Sequence, residues 1–299
     1  MSTCGCCGGE STAWRPISDW QTRRCRDCGS AWLDPMPTQN QLDVFYARFI
    51  ESYPQRSVDH ADSAQLEVLH SSVNIRRLRR IAKLQDAVGG RQDLLDVGCA
   101  TGQFLSDAHM RGFSVFGTEL SEPEAAQARA KTPTSSVQVA NLWDCGFADS
   151  AFGVVTAWDL FEHVPDQRRL IEEIHRVLAP HGILAISTIN IGALNQRIFG
   201  HRWGFFIPPE HVHFYSMKGL VALLESSGFS ILHKRTLLAP QLTLHALAGL
   251  LRRQEPEAAA AGPPSFGALR MKRALDAVVN PIVGRTDLGD IPEIYARRL

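Results

Sequence analysis

The sequence predicts an α/β fold built on a doubly wound, mostly parallel β-sheet. From residue 93 onward, short runs rich in Val, Ile and Leu alternate with stretches of helical periodicity. This alternation is typical of parallel strands that are connected by helices. The first apolar run ends at Asp96, and a turn of small residues, "DVGCATG", follows it. Such a turn is typical of a strand that leads into a helix beside a bound ligand.

The patterns of the α/β region follow one another in a regular order. The strand-like runs are "DLLDVG", "SVFGTEL", "SSVQVA", "FGVVTAWDL" and "GILAISTI". The helix-like runs between them are "QFLSDAHMRG", "SEPEAAQARAK" and "PDQRRLIEEIHRVLAP". After a loop region over 190–215 come the helix "MKGLVALLESSG", the strand "FSILHKRTL" and a final strand, "PEIYARR".

Changes in composition divide the chain into a small module, a helical segment and a core. Residues 1–35 are rich in Cys, Gly and Trp, and residues 36–91 have helical periodicity. The α/β core is predicted over 92–239 and 285–299, with a helical insertion at 240–284 before the last strand. Three roles for this insertion stay open, because it could cap the sheet, cover a pocket or form a homodimer surface.

Composition and charge exclude several classes of function. The chain has 31 basic and 31 acidic residues, so its formal net charge is zero, which argues against a nucleic-acid partner. The local basic run "RRLRR" at 76–80 is interpreted as a solvated helix face. The sequence contains no signal-peptide pattern, and its longest apolar stretch, at 237–251, is too short and interrupted to span a membrane. We therefore expect a cytoplasmic protein with no membrane partner.

The N-terminal cysteines have the spacing of a zinc site. Cys4, Cys7, Cys25 and Cys28 form the pattern C-x2-C-x17-C-x2-C. Four thiolates make a closed tetrahedral site, which predicts a structural zinc in a zinc-ribbon-like module. Cys6 could replace Cys4 or Cys7 as a ligand. Free cysteines and redox chemistry are the alternatives.

The turn after Asp96 lacks two common phosphate-binding motifs. Neither the dinucleotide pattern G-x-G-x-x-G nor a Gly-Lys-Ser/Thr sequence is present around Gly98 and Gly102. An acidic residue, Glu119, ends the next strand, at a position that can accept hydrogen bonds from ribose hydroxyls. The expected ligand therefore carries a ribose and no pyrophosphate.

Several motifs in the expected order resemble those of one enzyme family. "LLDVGCATGQF", the strand end "GTEL", "FGVVTAWDLFEHVPD", "HGILAIST" and "PPEHVHFYS" together resemble the small-molecule branch of the class I S-adenosylmethionine-dependent methyltransferases. The resemblance covers about residues 90–236. It implies a seven-stranded Rossmann-like sheet, with "PEIYARR" as the seventh strand, and S-adenosylmethionine as cofactor.

The resemblance assigns roles to the opening turn. Asp96, Gly98 and Gly102 are expected to shape the pocket for the methionine part of the cofactor, with Ala100 close to it. Ala100 departs from the family, which often has a middle glycine there. Alanine is small enough to keep the pocket open.

The resemblance also assigns the adenosine contacts. Glu119 is expected to bind the ribose, and Leu120 to flank the adenine. Asn141 and Leu142 follow the third strand of the core, where the family contacts the adenine.

Residues after the fourth strand of the core are assigned to the methionine end of the cofactor. The resemblance places Trp158 and Asp159 there, with core packing as the alternative for Trp158. Asp159, Glu162 and His163 have spacings that put them on one helix face. They resemble the acid-x-x-Glu-His set of ubiquinone-pathway O-methyltransferases, where a divalent metal can sit. A hydrogen-bond network beside the cofactor is the alternative.

Three histidines are candidates for a general base. Methyl transfer requires mainly proximity and orientation, and a hydroxyl acceptor also needs a group that takes its proton. His211 and His213 lie in a loop beyond the fifth strand, with Glu210 as a candidate partner that fixes the tautomer of His211. In an extended segment these two side chains point the same way, and we expect them to face the acceptor. His163 is the third candidate.

Aromatic residues could build the acceptor pocket, although core packing is equally open for each of them. They are Phe45, Tyr46, Tyr53, Trp203, Phe205, Phe206 and Tyr215.

The sequence therefore predicts S-adenosylmethionine-dependent methyl transfer to a small-molecule acceptor, as an O-methylation in a biosynthetic pathway with a loop histidine as base. Three alternatives stay open: an RNA base methyltransferase with a zinc module, a non-catalytic cofactor-binding or interaction protein, and a non-methylating use of the same cofactor. The neutral charge and the lack of an Asn/Asp-Pro-Pro-Tyr motif argue against the first.

Overall fold

The computed structural model describes residues 3–52, 60–86, 90–239 and 279–299. Within these residues the strands are β1 (Ser11–Ala13), β2 (Thr22–Cys25), β3 (Ala31–Leu33), β4 (Asp93–Val97), β5 (Ser114–Glu119), β6 (Ser136–Val139), β7 (Phe152–Trp158), β8 (Leu178–Ser187), β9 (His213–Phe214), β10 (Phe229–Leu237) and β11 (Ile291–Arg298). The α-helices include α1 (Gln39–Ser52), α2 (His60–Asp86), α3 (Gln103–His109), α4 (Glu122–Lys131), α5 (Gln167–Val177), α6 (Leu194–Phe199) and α7 (Met217–Ser226).

The larger sheet has seven strands in the order β10-β11-β8-β7-β4-β5-β6. Neighbouring strands from β6 to β8 are parallel, whereas β11 pairs antiparallel with both β8 and β10. This confirms the predicted doubly wound, mostly parallel sheet. The strand order reverses at β4, which lies between β5 and β7. In such sheets ligands bind outside the carboxyl ends of the strands at this reversal.

Both faces of the sheet are covered, because alternate residues of each central strand point to opposite faces. On β4, Leu94 packs with buried residues of α2, α3 and α4. Leu95 and Val97 pack with buried residues of α5 and α7. The second cluster also contains four of the N-terminal cysteines, so the Cys-rich segment is part of the core on this face.

The smaller sheet joins distant parts of the chain. Its order is β1-β2-β3-β9, so the strands of the N-terminal segment are completed by β9, which lies beyond the fifth strand of the core. Trp32 pairs with His213 and Ala31 with Phe214. The sequence prediction left 190–215 as a loop, because a two-residue strand has no measurable periodicity.

Two predictions fall wholly or mostly outside the described residues. Most of the proposed insertion, from 240 to 278, and the candidate pocket residue Tyr53 lie there. Among the helices that are described, none is both long enough and apolar enough to cross a membrane.

Candidate functional site

The turn after β4 has a left-handed backbone at three positions. Gly98, Ala100 and Gly102 have φ values of 71°, 46° and 75°. A Cβ atom at Gly102 would lie 2.6 Å from the Cα of Ala128, so glycine is required there for space as well as for conformation. Such a conformation is costly for Ala100, and residues of this kind cluster at ligand sites.

Glu119 lies opposite this turn at the end of β5. One carboxylate oxygen accepts a hydrogen bond from the Ala100 N–H at 2.9 Å. The other accepts from the N–H groups of Leu120 and Ser121 at 2.8 and 2.9 Å. The backbone thus fixes the carboxylate beside the turn. Three of the about four lone-pair sites of a carboxylate are used in this way, and one on the oxygen that faces Ala100 remains for a ligand.

The candidate adenine contacts differ in exposure. Leu120 is 61% exposed at the rim of the site, whereas Leu142 is buried in the core. The side-chain amide of Asn141 donates to Asp144 at 3.2 Å. The side chains of Leu120 and Asn141 are therefore accessible to a ligand, whereas that of Leu142 packs against other apolar residues.

Asp96 is a buried residue of β4, two positions before the turn. Its carboxylate accepts a hydrogen bond from the Thr156 hydroxyl of the adjacent strand β7 at 2.5 Å. Burial raises the pKa of Asp96 to about 7, although this hydrogen bond favours the charged form.

Asp159 directly follows β7 and has a left-handed backbone, at φ 51°. Its N–H donates to the Ser187 carbonyl at 2.9 Å, and the Ser187 hydroxyl donates to its carboxylate at 2.8 Å. Next to it, the Trp158 ring packs edge-to-face against Phe104. Glu119, Trp158 and Asp159 therefore lie at the carboxyl ends of β5 and β7, the two strands that flank β4.

A pair of histidines lies beyond Asp159. The rings of His163 and His211 pack edge-to-face with centroids 4.9 Å apart. The Nδ1 atom of His163 lies 2.8 Å from the Glu210 carbonyl, and that of His211 lies 2.8 Å from the Phe205 carbonyl. A carbonyl only accepts, so each Nδ1 carries the proton and each Nε2 has a free lone pair. The predicted tautomer partner of His211, Glu210, is thus replaced by a backbone carbonyl of Phe205.

Burial keeps both imidazoles neutral. It lowers the pKa of His163, and together with the neighbouring His163 it lowers the pKa of His211 to about 3. Asp159 acts in the opposite direction on His163, because a nearby negative charge favours the imidazolium. His163 is therefore the more basic member of the pair.

Glu162 completes a cluster with these histidines. Its carboxylate accepts a hydrogen bond from the Thr188 hydroxyl at 2.6 Å, and burial raises its pKa to about 8. One ligand atom from each of Glu162, His163 and His211 lies within 4.8 Å of the others. This set has the chemistry of a divalent-metal site. The resemblance suggests Asp159 as the third member of this set, whereas the structure has His211 there.

His213 has different neighbours from the pair. Its Nε2 lies 3.0 Å from the Pro165 carbonyl, to which it donates, and its ring packs beside Tyr215. The residue is buried, which lowers its pKa to about 4. Sequence reasoning placed His211 and His213 side by side, whereas the structure brings His211 to His163.

The four predicted cysteine ligands come together at one point. The Sγ atoms of Cys4 and Cys28 are 3.7 Å apart, and those of Cys7 and Cys25 are 3.6 Å apart. All four sulfurs lie within 4.8 Å of one another. A tetrahedral zinc with Zn–S bonds of about 2.3 Å separates its sulfurs by about 3.8 Å, so the geometry fits this ion. Cys6 lies outside the group, with its sulfur 3.9 Å from Gln167 Oε1.

Comparison with known proteins identifies the family. A family model described as "Methyltransferase domain" matches residues 65–234, which is more than half of the chain. The chain belongs to the S-adenosylmethionine-dependent methyltransferases. An Archaeoglobus fulgidus enzyme of this type has a similar fold, with a TM-score of 0.51 and 19% identity over 76% of this chain and 93% of the other.

Curated relatives match about half of the chain. An O-methyltransferase from Aspergillus nomiae is 32% identical over 52% of this chain and 72% of its own length. A ubiquinone biosynthesis O-methyltransferase from Pseudomonas paraeruginosa is 31% identical over 45% of this chain and 65% of its own length. The chain spans between 56% and 72% of the length of the curated relatives that it matches best.

Five of the aromatic residues predicted for the acceptor pocket divide into two groups. Trp203, Phe206 and Tyr215 are buried in the core. Phe205 is half-buried and stacks on the ring of His211, and the Tyr46 hydroxyl lies 3.5 Å from His163 Nδ1. These two line the histidine pair.

Arg77 is a site residue that sequence reasoning missed. The run "RRLRR" was interpreted as a solvated face, but Arg77 is only 8% exposed. Its guanidinium lies 4.0 Å from the Trp158 ring centroid and donates to Glu293 at 2.8 Å. Helical spacing could have indicated that Arg77 is buried, because it places Arg77 on the same face of α2 as the buried Leu78 and Ile81.

Proposed function

We propose that this protein transfers the methyl group of S-adenosylmethionine to a small-molecule acceptor. The main support is that the left-handed turn at 98–102 lies beside the carboxylate of Glu119, which backbone N–H groups hold in place. This arrangement fits an adenosine, because the carboxylate accepts from ribose hydroxyls and the small turn lets the ligand approach the backbone closely. The proposal assigns the methionine part of the cofactor to Trp158 and Asp159, at the carboxyl end of β7.

Calorimetry with S-adenosylhomocysteine tests the cofactor site. We expect binding to the wild type and an affinity about tenfold lower for Glu119→Ala, because charge-assisted hydrogen bonds to the ribose are lost. Glu122→Ala, a change at an exposed glutamate in the first turn of α4, is the matched control and should bind normally. Equal affinities of all three proteins would place the ribose elsewhere.

We propose a hydroxyl acceptor, with the histidine pair as the proton acceptor. Bound S-adenosylmethionine supplies a methyl group on a sulfonium sulfur. The Nε2 lone pair of His163 takes the hydroxyl proton, and the resulting imidazolium is stabilised by the carboxylate of Asp159. His211 and Phe205 form the adjoining wall. The O-methyltransferases among the relatives support this acceptor class.

We keep one alternative for the same cluster, namely a divalent cation held by Glu162, His163 and His211. The convergence of three ligand atoms favours it. Such an ion would lower the pKa of a bound hydroxyl and so replace the base. Assays with and without added Mg²⁺ or Mn²⁺, on protein that keeps its cysteine-bound zinc, separate the two roles. Full turnover without an added ion supports the base, and a strict requirement for the ion supports the metal site.

We also propose that the N-terminal cysteines hold a structural zinc. Support comes from the sulfur separations, which match a tetrahedral site, and from a closed ligand set that leaves no open position for catalysis. Metal analysis of protein expressed with excess zinc should find about one equivalent. A content below about half an equivalent would contradict this proposal.

A further inference from the structure

The two histidines of the pair belong to separate segments of the chain. His163 lies between β7 and α5, and His211 lies just before β9. The segments touch through the backbone, because the N–H groups of Val212 and His213 donate to the Glu162 carbonyl at 2.8 and 3.2 Å. The position of one ring relative to the other therefore depends on whatever holds these two segments together.

The first cysteine knuckle, residues 4–9, lies against the segment of His163. The Arg168 guanidinium, in the first turn of α5, donates to the Gly5 carbonyl at 3.2 Å. Gln167, the first residue of α5, lies 3.9 Å from the Cys6 sulfur. This knuckle is thus seated on the helix that begins directly after the His163 segment.

The second knuckle, residues 25–30, lies against the segment of His211. The Ser216 hydroxyl donates to the Cys28 carbonyl at 2.6 Å, and the Ser216 N–H donates to the Ser30 hydroxyl at 3.0 Å. Just after this knuckle, β3 pairs with β9, and the Leu33 N–H donates to the Val212 carbonyl at 3.0 Å. The residues on both sides of His213, including Val212 directly after His211, are therefore fixed by the N-terminal segment.

The thiol cluster is what joins the two knuckles. Each of the short sulfur contacts crosses from the first knuckle to the second, Cys4 to Cys28 and Cys7 to Cys25. The strands between the knuckles have only three or four residues, so they offer little core of their own. Metal–thiolate bonds supply the order that such a segment lacks.

We infer that the metal-bound cysteine cluster positions His163 and His211 as a pair, so that the acceptor half of the site depends on it and the cofactor half does not. This inference rests on the proposed function for the role of the pair. Among the described residues, the turn at 98–102 and Glu119 are held by hydrogen bonds from β5 and from their own backbone, and the knuckles make no hydrogen bond to them. The cluster is a positioning element and touches no reacting atom.

A wedge variant tests this without changing a cysteine. A Cβ atom at Gly219, in the first turn of α7, would lie 2.1 Å from the Ser30 hydroxyl and 3.1 Å from the Cys28 sulfur. Gly219→Ala therefore displaces the Ser30 hydroxyl, which accepts from the Ser216 N–H, and crowds the Cys28 sulfur. Glu225→Ala, at an exposed position of the same helix, is the matched control. Removal of the metal from the full-length wild type by a chelator is a second perturbation.

Hydrogen exchange and calorimetry give readouts that need no acceptor. After either perturbation we expect amide exchange over 207–216 to rise at least about tenfold, while exchange over 114–121 stays unchanged. Affinity for S-adenosylhomocysteine should remain within about threefold, and turnover with an acceptor should fall through kcat. The control should match the wild type in every readout.

Two results would overturn the inference. Unchanged exchange over 207–216 in both perturbed proteins would show that the cluster does not hold the His211 segment. An equal rise over 207–216 and 114–121 would show that the cluster stabilises the whole fold without selectivity. The exchange data remain decisive even if neither histidine acts in methyl transfer, so a failure of the proposed function is distinguishable from a failure of this inference.

Discussion

The imidazole of His211 packs against that of His163, and both rings donate through Nδ1 to backbone carbonyls. Backbone carbonyls are fixed acceptors, so they set the tautomer and the orientation of each ring. Each ring therefore has a neutral Nε2 with a lone pair, and the His163 ring follows Asp159 and the carboxyl end of β7 in the chain. This end of the strand is at the edge of a doubly wound sheet at which ligands bind.

Alanine variants of the three histidines should give different results. With the true acceptor, His163→Ala should lower kcat about a hundredfold, the scale of a lost general base. His211→Ala should also lower kcat, because the ring that packs against His163 is lost. His213→Ala should lower the melting temperature and leave kcat within a few fold, since its Nε2 donates to the Pro165 carbonyl in the core. Steady-state kinetics and thermal denaturation check these outcomes.

The interpretation of the pair fails if His213→Ala has the largest effect on kcat. Normal turnover of both His163→Ala and His211→Ala would remove the base from this cluster altogether. In each case the affinity for S-adenosylhomocysteine serves as the control and should stay within about threefold, because the pair does not contact the turn at 98–102.

The sheet and the cofactor turn could be predicted because their signals are local. The strand β4 and its turn lie within ten residues, and their alternation and glycines reveal them directly. The helix α5 ends at Val177, earlier than the predicted "RVLAP" end, because Leu178 already has an extended backbone with ψ 134° and begins β8. Propensity gives the type of an element more reliably than its boundary.

The histidine pair and the docking of the cysteine segment could not be predicted in the same way. The contact of His163 with His211 and the pairing of β3 with β9 join residues far apart in the sequence. Neither depends on a periodic pattern. The prediction of a solvated face is wrong for Arg77, because the position of this residue on the buried face of α2 outweighs its charge.

Asp96 should make stability depend on pH. Its pKa is raised to about 7 in the folded protein, above the value of an unfolded aspartate, so the folded state binds more protons between these values. The contribution of Asp96 to stability is therefore fully present below about pH 4 and is lost as the pH rises to about 7. The difference in the free energy of unfolding between the wild type and Asp96→Asn, measured by urea unfolding of the cofactor-free proteins between pH 4 and 8, should show this loss, by up to about 4 kcal/mol. The difference is needed because His211 and His213, whose pKa values are lowered, act in the opposite direction over the same range.

Two variants isolate the contribution of Asp96. Asp96→Asn should have a smaller decrease in the free energy of unfolding over the same pH range, because its amide does not titrate. Thr156→Val removes the hydrogen bond that favours the charged carboxylate, so it should steepen the decrease. Parallel curves for the wild type and Asp96→Asn would assign the dependence to other groups.

Arg77→Met should destabilise the fold. Glu293 is completely buried and accepts from Arg77 and from Arg235, so loss of Arg77 leaves a buried carboxylate with one cation instead of two. Breaking a buried pair in this way costs about 3 kcal/mol, with some relief from the remaining arginine. Arg79→Met, at an exposed position of the same helix, should change the free energy of unfolding by less than about 0.5 kcal/mol. A similar loss for both variants would show that the buried network contributes little.

Gly102→Ala should remove cofactor binding, and Gly112→Ala is its matched control. Both glycines have a left-handed backbone, with φ of 75° and 88°, so both substitutions cost about 1 kcal/mol of backbone strain. The surroundings differ, because a Cβ atom at Gly112 would meet nothing within 4 Å, whereas one at Gly102 would lie 2.6 Å from the backbone of Ala128 in α4. The turn must therefore shift away from α4 in Gly102→Ala, and the Ala100 N–H moves with it relative to Glu119.

Calorimetry with S-adenosylhomocysteine should show at least about tenfold weaker binding for Gly102→Ala and unchanged binding for Gly112→Ala. Equal affinities of the two variants, at equal thermal stability, would show that the turn tolerates this shift and does not shape the cofactor site.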